Sequence, residues 1–307
     1  MNFGSALSVV FLAIWSVVIF AANETLVSMI LVNGAVQMVL FILVAGIPFL
    51  VTGRMSYVDI AWPFGVALIG VVILFMGDGN VIRKSVVGGI YLLIGLRMGL
   101  GALTMARATG VIFKIEFSRY VYRRMILEES DGARVKFHSL AEIMSQGFAN
   151  MSVLALPGFM LAVNGSGLFS VWEIAGVGIW LLAYILESIA DAQKMLFISK
   201  NKRGVCDIGL WRYSRHPNYF SEWLVWTGLA IASISSWLAL QEFEILAIWI
   251  VLGVGALGAS VMLYITLNYL TGAIPAEYYS VRKRAGYKSY QETTNRFFPW
   301  LPKNPRP

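Results

Sequence analysis

The densest group of side chains capable of chemistry lies in residues 209–223, which read Gly-Leu-Trp-Arg-Tyr-Ser-Arg-His-Pro-Asn-Tyr-Phe-Ser-Glu-Trp. Five charged or polar residues meet there at the foot of a candidate membrane helix: Arg212, Arg215, His216, Asn218 and Glu222. Charged groups at a membrane boundary are costly to desolvate, so such a group is typical of a functional site. Because free N–H groups at a helix N-terminus bind anions, we expect an anion site here. The alternative is a basic helix start that only orients the protein in the bilayer.

A second group of polar residues interrupts the early apolar stretches. Asp59 follows Ser-Tyr-Val and precedes Ile-Ala-Trp-Pro, so it either caps a helix or serves as an acid. Arg97 lies in the middle of an apolar span, where an arginine must face a partner or a wet cavity. The predicted partner of Arg97 is Asp59 or a bound anion.

Two acidic residues and two tyrosines lie close to the Arg-His-Pro-Asn run. Glu187 and Asp191 are four residues apart and share a helix face. They either join a charge network with the arginines or bind hydroxyl or amide groups of a cofactor. Tyr213 and Tyr219 flank the run, as belt residues of the membrane interface or as part of the site.

The C-terminal tail, residues 275–302, is basic and aromatic and ends in Phe-Phe-Pro-Trp-Leu-Pro. One interpretation is an electrostatic clamp on anionic lipid. The other is a flap that closes a cytoplasmic cofactor cavity and is docked by Trp300 and Leu301. Three side chains would then face phosphates or an adenine: Arg282, Arg284 and Tyr287.

The composition predicts an all-α, polytopic membrane protein. Of 307 residues 58% are hydrophobic and only 13% are charged, whereas soluble domains carry about 25% charged residues. One cysteine excludes an internal disulfide, and one cysteine with two histidines is too few for a zinc site. The run Gly-Val-Gly-Ala-Leu-Gly at 253–258 matches a dinucleotide fingerprint, but it lies inside a span and lacks the required strand.

Hydrophobic stretches of about 20 residues mark the candidate spans. There are eight: 5–22, 26–52, 58–77, 85–106, 148–164, 171–193, 218–236 and 245–272. The first and fifth are short, so seven or eight spans are predicted. We expect a single membrane domain over 1–307, with N-terminal spans in 1–52.

The basic residues predict the orientation. The segments 107–147, 194–217 and 273–307 hold 20 of the 24 lysines and arginines. The positive-inside rule therefore places these three segments, including the 107–147 loop and the tail, in the cytoplasm, and with eight spans both termini lie there too. Arg83 and Lys84 run against the rule. The net charge of +7 is assigned to these segments rather than to nucleic-acid binding.

Three motifs together resemble the steroid 5-alpha-reductase family, in its poorly characterised, largely microbial branch. They are Gly209-Leu-Trp-Arg-Tyr, Ser214-Arg-His-Pro-Asn-Tyr-Phe-Ser-Glu222 and the closing Gly286-Tyr-Lys-Ser-Tyr…Phe-Phe-Pro-Trp. Sterol C14 and Δ7 reductases and isoprenylcysteine carboxyl methyltransferases share this C-terminal layout. The resemblance is strong over 185–302, weak over 55–150 and absent over 1–50.

The resemblance implies NADPH held in a cytoplasm-facing cavity of the helix bundle. Family positions that bind it fall on Asp191, Tyr213, Asn218 and Glu222, with a tail contribution from Glu277 to Arg284. We add Arg212, Arg215 and His216 as phosphate-facing candidates, and Arg212, Arg282 or Arg284 for a 2′-phosphate. The family's catalytic glutamate falls near Asp59, a shorter acid, and its tyrosine falls near Ile94, with Tyr91 one turn earlier and Arg97 following.

The predicted reaction is reduction of a C=C bond conjugated to a carbonyl, in a steroid-, sterol- or isoprenoid-like lipid dissolved in the bilayer. Protonated Asp59 or Tyr91 would donate to the carbonyl oxygen, and Arg97 would polarise that oxygen or orient Asp59. The alternatives are an S-adenosylmethionine-dependent methyltransferase of the isoprenylcysteine carboxyl type and a non-enzymatic membrane protein. We expect a monomer in a bacterial inner membrane rather than in the endoplasmic reticulum.

Overall fold

The computed structural model describes residues 3–201 and 203–303, which are almost entirely helical. The first half contains α1 (Phe3–Val18), α2 (Glu24–Phe41), α3 (Ile47–Thr52), α4 (Val58–Met76), α5 (Val81–Thr109), α6 (Ser118–Asp131) and α7 (Val135–Met151). The second half contains α8 (Leu156–Ala162), α9 (Val171–Lys200), α10 (Pro217–Ala232), α11 (Ile234–Leu240), α12 (Leu246–Ile265), α13 (Ala273–Lys283) and α14 (Tyr287–Thr293). No strand occurs in these ranges, which confirms the all-α prediction.

Six helical segments in the described ranges are long and apolar enough to cross a membrane: Glu24–Thr52, Met55–Met76, Val81–Thr109, Val171–Lys200, Pro217–Leu240 and Leu246–Lys283. Ala6–Val18 of α1 is a shorter apolar helix. The chain is therefore a multi-pass membrane protein, as its composition predicts. Two of these segments contain a π-helical turn. Ile42–Gly46 joins α2 to α3, and Thr266–Leu270 follows α12.

The prediction of a continuous fifth span over 148–164 is wrong. The helix breaks between α7, which ends at Met151, and α8, which begins at Leu156. Pro157 lies in the first turn of α8, the one helical position where its missing N–H costs nothing. The N–H of Gly79 donates to the carbonyl of Ala162 (2.9 Å), so α8 ends beside the α4–α5 loop.

The Cα positions cluster into two compact units. The first contains the residues up to Ala175 together with Leu229–Ala259, and the second contains Gly176–Gly228 and the residues from Ser260 onward. The chain passes from one unit to the other within α9, α10 and α12. The prediction of a single membrane domain remains a prediction.

Arg83, which runs against the positive-inside rule, is buried in the first unit. Its Nε lies 2.6 Å from Glu173 Oε1, and the arginine is only 2% exposed. The other guanidinium nitrogens donate to three carbonyls of the α8–α9 loop: Asn164, Ser166 and Leu168, each at 2.8 Å. Lys84 donates to the carbonyl of Gly77 (2.6 Å) at the end of α4. Both residues therefore hold loops together, which explains why their position departs from the charge rule.

Candidate functional site

A buried carboxylate, Glu277 of α13, organises the polar residues of the second unit. Arg215 binds it through two nitrogens, Nε to Oε1 at 2.7 Å and Nη2 to Oε2 at 3.1 Å. His216 Nε2 lies 3.1 Å from Oε1, and Gln291 Nε2 donates to Oε2 at 2.7 Å. A two-pronged arginine–carboxylate contact is geometrically specific, so Glu277 fixes the run before α10 against the tail.

The remaining donors of Arg215 go to the tail. Nη1 donates to the carbonyls of Gln291 (3.0 Å) and Thr294, and the backbone N–H donates to the carbonyl of Asn295 (2.9 Å). All three guanidinium nitrogens of Arg215 therefore have protein partners. The phosphate role expected for Arg215 remains a prediction, and its observed contacts are those of a residue that anchors the tail.

His216 is almost completely buried, with 5% of its surface exposed, and it stacks on Tyr219 with ring centroids 5.2 Å apart. Burial lowers the pKa of His216 because it penalises the charged imidazolium more than the Glu277 carboxylate favours it. The neutral ring must carry its proton on Nε2, since the carboxylate beside it only accepts. The predicted contact of His216 with a phosphate of the cofactor stays a prediction.

The tail is docked by other residues than those expected. The backbone N–H of Trp300 donates to the carbonyl of Tyr213 at 2.9 Å, but the side chains of Trp300 and Leu301 are 70% and 72% exposed and are not inserted. Phe297 is 4% exposed and packs edge-on against Phe220 of α10. Ser214 Oγ donates to the carbonyl of Phe297 at 2.8 Å. Phe297, the first residue of Phe-Phe-Pro-Trp, therefore packs against α10 while its backbone is hydrogen-bonded to the segment that precedes this helix.

Asn218 and Asp191, both predicted from the sequence as cofactor residues, are in contact. Asn218 Nδ2, in the first turn of α10, donates to Asp191 Oδ1 of α9 at 3.1 Å. Asn218 Oδ1 is buried and has no hydrogen-bond partner among the described residues. A buried amide oxygen without a partner costs free energy that a ligand with an N–H or O–H group can recover. Glu222 lies one turn further along α10, half-buried.

The remaining tail and loop candidates differ in their exposure to water. Tyr213 is 41% exposed. Arg282 is exposed, lies 3.5 Å from the ring centroid of Tyr278 and donates to that residue's carbonyl. Arg284 donates to Ser280 Oγ at 3.2 Å. Burial raises the pKa of Tyr287, so this buried phenol stays protonated.

Arg212 borders a polar cavity of about 400 Å³ between the loop before α10 and the tail. Asp207, Ser289 and Thr293 line the same cavity. Arg212 is the one predicted cofactor residue that borders this space.

The first unit holds the predicted catalytic residues. Asp59 Oδ2 lies 2.6 Å from Arg119 Nη2, and Tyr120 donates its hydroxyl proton to Asp59 Oδ1 at 2.9 Å. Burial, and then the neighbouring carboxylate, raise the pKa of Tyr120, which is 2% exposed. Arg97 lies on α5, half-buried, and its predicted pairing with Asp59 remains a prediction. Arg119 and Tyr120 were not predicted as site residues, because the sequence around them carries no recognised motif.

Tyr91 holds two helices together. Its hydroxyl donates to the carbonyl of Leu154 at 2.6 Å and accepts from the N–H of Gly158 at 3.3 Å. A Cβ at Gly158 would collide with the ring of Tyr91, so the glycine permits the contact. The proton-donor role predicted for Tyr91 is untested, and its hydroxyl proton is engaged at the α7–α8 break.

A buried amide network in the first unit was missed. Asn33 and Gln37 of α2 and Asn150 of α7 are 0% exposed. Gln37 Nε2 donates to the carbonyl of Gly65 (2.9 Å), and Asn150 Nδ2 donates to the carbonyl of Trp62 (3.1 Å). The available signal was three amides inside or beside apolar spans, which satisfy one another only after the helices pack.

Comparison with known proteins shows the family. Residues 49–294 match the model of a family described as a protein of unknown function (DUF1295), and the chain belongs to this family. The match includes every predicted site residue.

The Uncharacterized protein C594.04c of Schizosaccharomyces pombe is 25% identical to this chain over 173 residues. The aligned region covers 50% of this chain and 46% of that protein, so the chain spans about half the length of the curated relative that it matches. No solved structure matches the chain.

Proposed function

We propose that the protein is an NADPH-dependent reductase of a C=C bond conjugated to a carbonyl in a lipid dissolved in the membrane. The observation that carries the proposal is the Asn218–Asp191 pair, with the buried Asn218 Oδ1 left without a partner. The carboxamide N–H groups of a nicotinamide are donors suited to that oxygen. The resemblance of the surrounding motifs to steroid 5-alpha-reductases supports the same cofactor.

The second unit offers residues for the parts of such a cofactor. Asn218, Asp191 and Glu222 would hold the nicotinamide and ribose groups, because a carboxylate and an amide oxygen accept from hydroxyl and amide donors. Arg212 would take a phosphate. When bound, NADPH supplies the hydride, and the protein supplies orientation and a dry environment.

The reaction also needs a hydrogen-bond donor for the negative charge that develops on the carbonyl oxygen. Asp59 accepts from Tyr120 and lies 2.6 Å from Arg119 Nη2, and both contacts disfavour the protonated Asp59 expected from the sequence. Arg97 is a donor, and Tyr120 becomes one when its hydroxyl proton, which it gives to Asp59, turns to the substrate oxygen. We therefore assign the donor role to Arg97 or Tyr120, with Asp59 as the residue that orients Tyr120.

The basic segments 107–147, 194–217 and 273–307 face the cytoplasm in this proposal, where NADPH is available. The membrane is a bacterial inner membrane, and the active form is a monomer.

The test is a thermal-shift titration of the detergent-purified protein with NADPH, NADH and S-adenosylmethionine. A ligand that binds only the folded state raises the melting temperature as its concentration exceeds its dissociation constant. We expect NADPH to stabilise the wild type and Asn201→Ala, an exposed control, and Asn218→Ala to lose most of the shift. Stabilisation by S-adenosylmethionine alone would replace the reductase with a methyltransferase, and no shift with any ligand would favour a non-enzymatic role.

A further inference from the structure

The loop between α5 and α6, residues 110–117, exposes two large apolar side chains close together. Phe113 is 44% exposed and Ile115 is 57% exposed, with the exposed Lys114 between them. The ring of Phe113 contacts that of Tyr57, with ring centroids 6.4 Å apart, and nearly half of its surface stays uncovered. Because uncovered apolar surface is unfavourable in water, two such neighbours indicate a contact with something outside the chain.

The loop lies at the level at which three membrane-spanning segments end. Arg54 lies between the segments Glu24–Thr52 and Met55–Met76, and its Nε donates to the carbonyl of Ile112 at 3.1 Å. The segment Val81–Thr109 ends immediately before the loop. At 1.5 Å per residue, the two 29-residue segments are about 43 Å long, which matches a bilayer together with its headgroups. The loop is therefore at the membrane–water interface and not in open water.

Glu116 fixes the height of the loop relative to a span. Its carboxylate accepts from the backbone N–H groups of Met55 (2.8 Å) and Ser56 (2.9 Å), the first two residues of that span. Arg124 Nη2 of α6 donates to the same carboxylate at 3.0 Å. The side chain of Glu116 is only 11% exposed. A carboxylate held by several donors in a place that water reaches poorly exchanges partners reluctantly, so Phe113 stays beside the membrane boundary.

The backbone at Ile112 directs the apolar side chains of the loop outward. Its φ is 77°, and it is the one residue other than glycine with a positive φ in the described ranges. This left-handed conformation is unfavourable for a β-branched residue. The side chain is nevertheless 0% exposed, and the N–H donates to the carbonyl of Ile115 at 2.9 Å. The turn thus buries Ile112 and leaves Phe113 at the surface, and retained strain of this kind is typical of functional segments.

We propose that Phe113 and Ile115 insert into the acyl-chain boundary of the bilayer and that Lys114 meets the phosphates of anionic lipid. Aromatic side chains favour the membrane interface, and a lysine there keeps its amine among the headgroups. Residues 107–115 contain two basic residues, Arg107 and Lys114, and no acidic residue, which suits an anionic surface. Both the position and the charge of the loop favour a lipid surface over a protein partner.

The main experiment measures where position 113 lies in vesicles. In a Cys206→Ser background, Phe113→Cys carries a polarity-sensitive fluorophore, since Cys206 is the single cysteine of the chain. The reconstituted protein is exposed to iodide from the water and to lipids with a nitroxide quencher on the upper part of the acyl chain. We expect blue-shifted emission, quenching by the nitroxide lipids and little quenching by iodide. Glu128→Cys, at an exposed site of α6, is the matched control, and iodide should quench its fluorophore strongly.

Ile115→Cys provides a second attachment site, which separates the position of the loop from any effect of removing the Phe113 side chain. The fluorophore at position 115 should show the same blue shift and the same protection from iodide as that at position 113. The melting temperature of each labelled chain shows that it is folded.

The contribution of charge is measured with Lys114→Glu in the chain labelled at position 113. In vesicles of phosphatidylcholine mixed with phosphatidylglycerol, the ratio of embedded to water-exposed fluorophore should fall by at least about fivefold, the effect of one lysine near an anionic surface. In vesicles of phosphatidylcholine alone, this ratio should change by less than about twofold.

Three outcomes would overturn the lipid assignment. Strong quenching by iodide without quenching by the nitroxide lipids, at both positions 113 and 115, would place the loop in water. Protection from both quenchers would indicate a protein cover, such as a second copy of this chain. An equal effect of Lys114→Glu in both kinds of vesicle would remove the role of anionic lipid. None of these outcomes depends on NADPH binding, so the reductase function stands or falls separately.

Discussion

Two arginine–carboxylate groups, one in each unit, differ in how completely the protein satisfies them. Glu277 is 8% exposed and accepts from Arg215, His216 and Gln291, while the side chain of Arg215 is 10% exposed. Asp59 contacts Arg119 and Tyr120, but the side chain of Arg119 is 30% exposed. A buried, satisfied network holds a structure together, whereas a pair that water can reach retains the capacity to exchange partners. We therefore interpret the Glu277 group as the anchor of the tail and the Asp59 group as the one that the proposed reaction would use.

The largest effect is expected when the anchor is broken. Glu277→Ala leaves the Arg215 charge buried without its carboxylate, which costs about 3–5 kcal/mol. We expect a large fall in the melting temperature of the detergent-purified protein. Glu292→Ala removes an exposed carboxylate of the same tail and should change the melting temperature little. Equal melting temperatures for the two variants would contradict the anchor interpretation.

Breaking the other group should cost less. In Asp59→Asn the partly exposed Arg119 can regain water, so we expect a loss of about 1–2 kcal/mol in the free energy of unfolding. Denaturant unfolding monitored by tryptophan fluorescence measures it. The same variant should lose reductase activity far more than stability, and a stability loss as large as that of Glu277→Ala would remove the contrast.

Acid should weaken the anchor through His216. Its pKa is lowered in the folded protein, so the unfolded chain takes up a proton more readily between the unfolded value, about 6.5, and the folded one. Stability is therefore highest above about pH 6.5 and is lost as the pH falls through that value. Melting temperatures across this range should decline less steeply for His216→Gln than for the wild type. An unchanged slope in His216→Gln would refute the assignment.

The smallest effect is expected at the exposed end of the tail. Trp300→Ala should change the free energy of unfolding in detergent by less than about 0.5 kcal/mol, because this side chain is 70% exposed. Phe297→Ala, which empties a buried aromatic site, is the positive comparison and should cost about 3–5 kcal/mol. Thermal unfolding of the two variants side by side decides which aromatic residue docks the tail.

The sequence predicted most helices correctly because hydrophobicity along the chain is a local property. The predicted span 58–77 agrees with α4 to within one residue, and 171–193 and 85–106 lie inside α9 and α5. The predicted span 148–164 failed because its apolar composition does not reveal the break before Pro157, where Tyr91 bonds to the carbonyl of Leu154. Because Tyr91 lies on α5, this bond forms only when the helices pack, and the local sequence of 148–164 does not reveal it.

Two residues chosen from the sequence are in contact, while their cofactor role stays a prediction. Asn218 and Asp191 meet because both lie at defined turns of long helices. The partner of Arg215, in contrast, is 62 residues away in the chain, and the buried aromatic residue of the Phe-Phe-Pro-Trp run is Phe297 rather than Trp300. No spacing rule connects such positions, since the loop between them can close in many ways.

By itself, the sequence determined the class of protein, the helices and the residues at the foot of α10, because span length, hydropathy and the placement of charged residues are set by the cost of desolvating backbone and charge in a bilayer. The tertiary structure alone decided which of those residues are engaged and which are available. Arg215 and His216 contact Glu277, and Asn218 Oδ1 is buried without a hydrogen-bond partner among the described residues, whereas Arg212 and Asp207 are exposed at a polar cavity. The physical reason is that packing decides whether a charged side chain has a hydrogen-bond or ion-pair partner. That partner lies far away in the chain, so the local sequence does not reveal it.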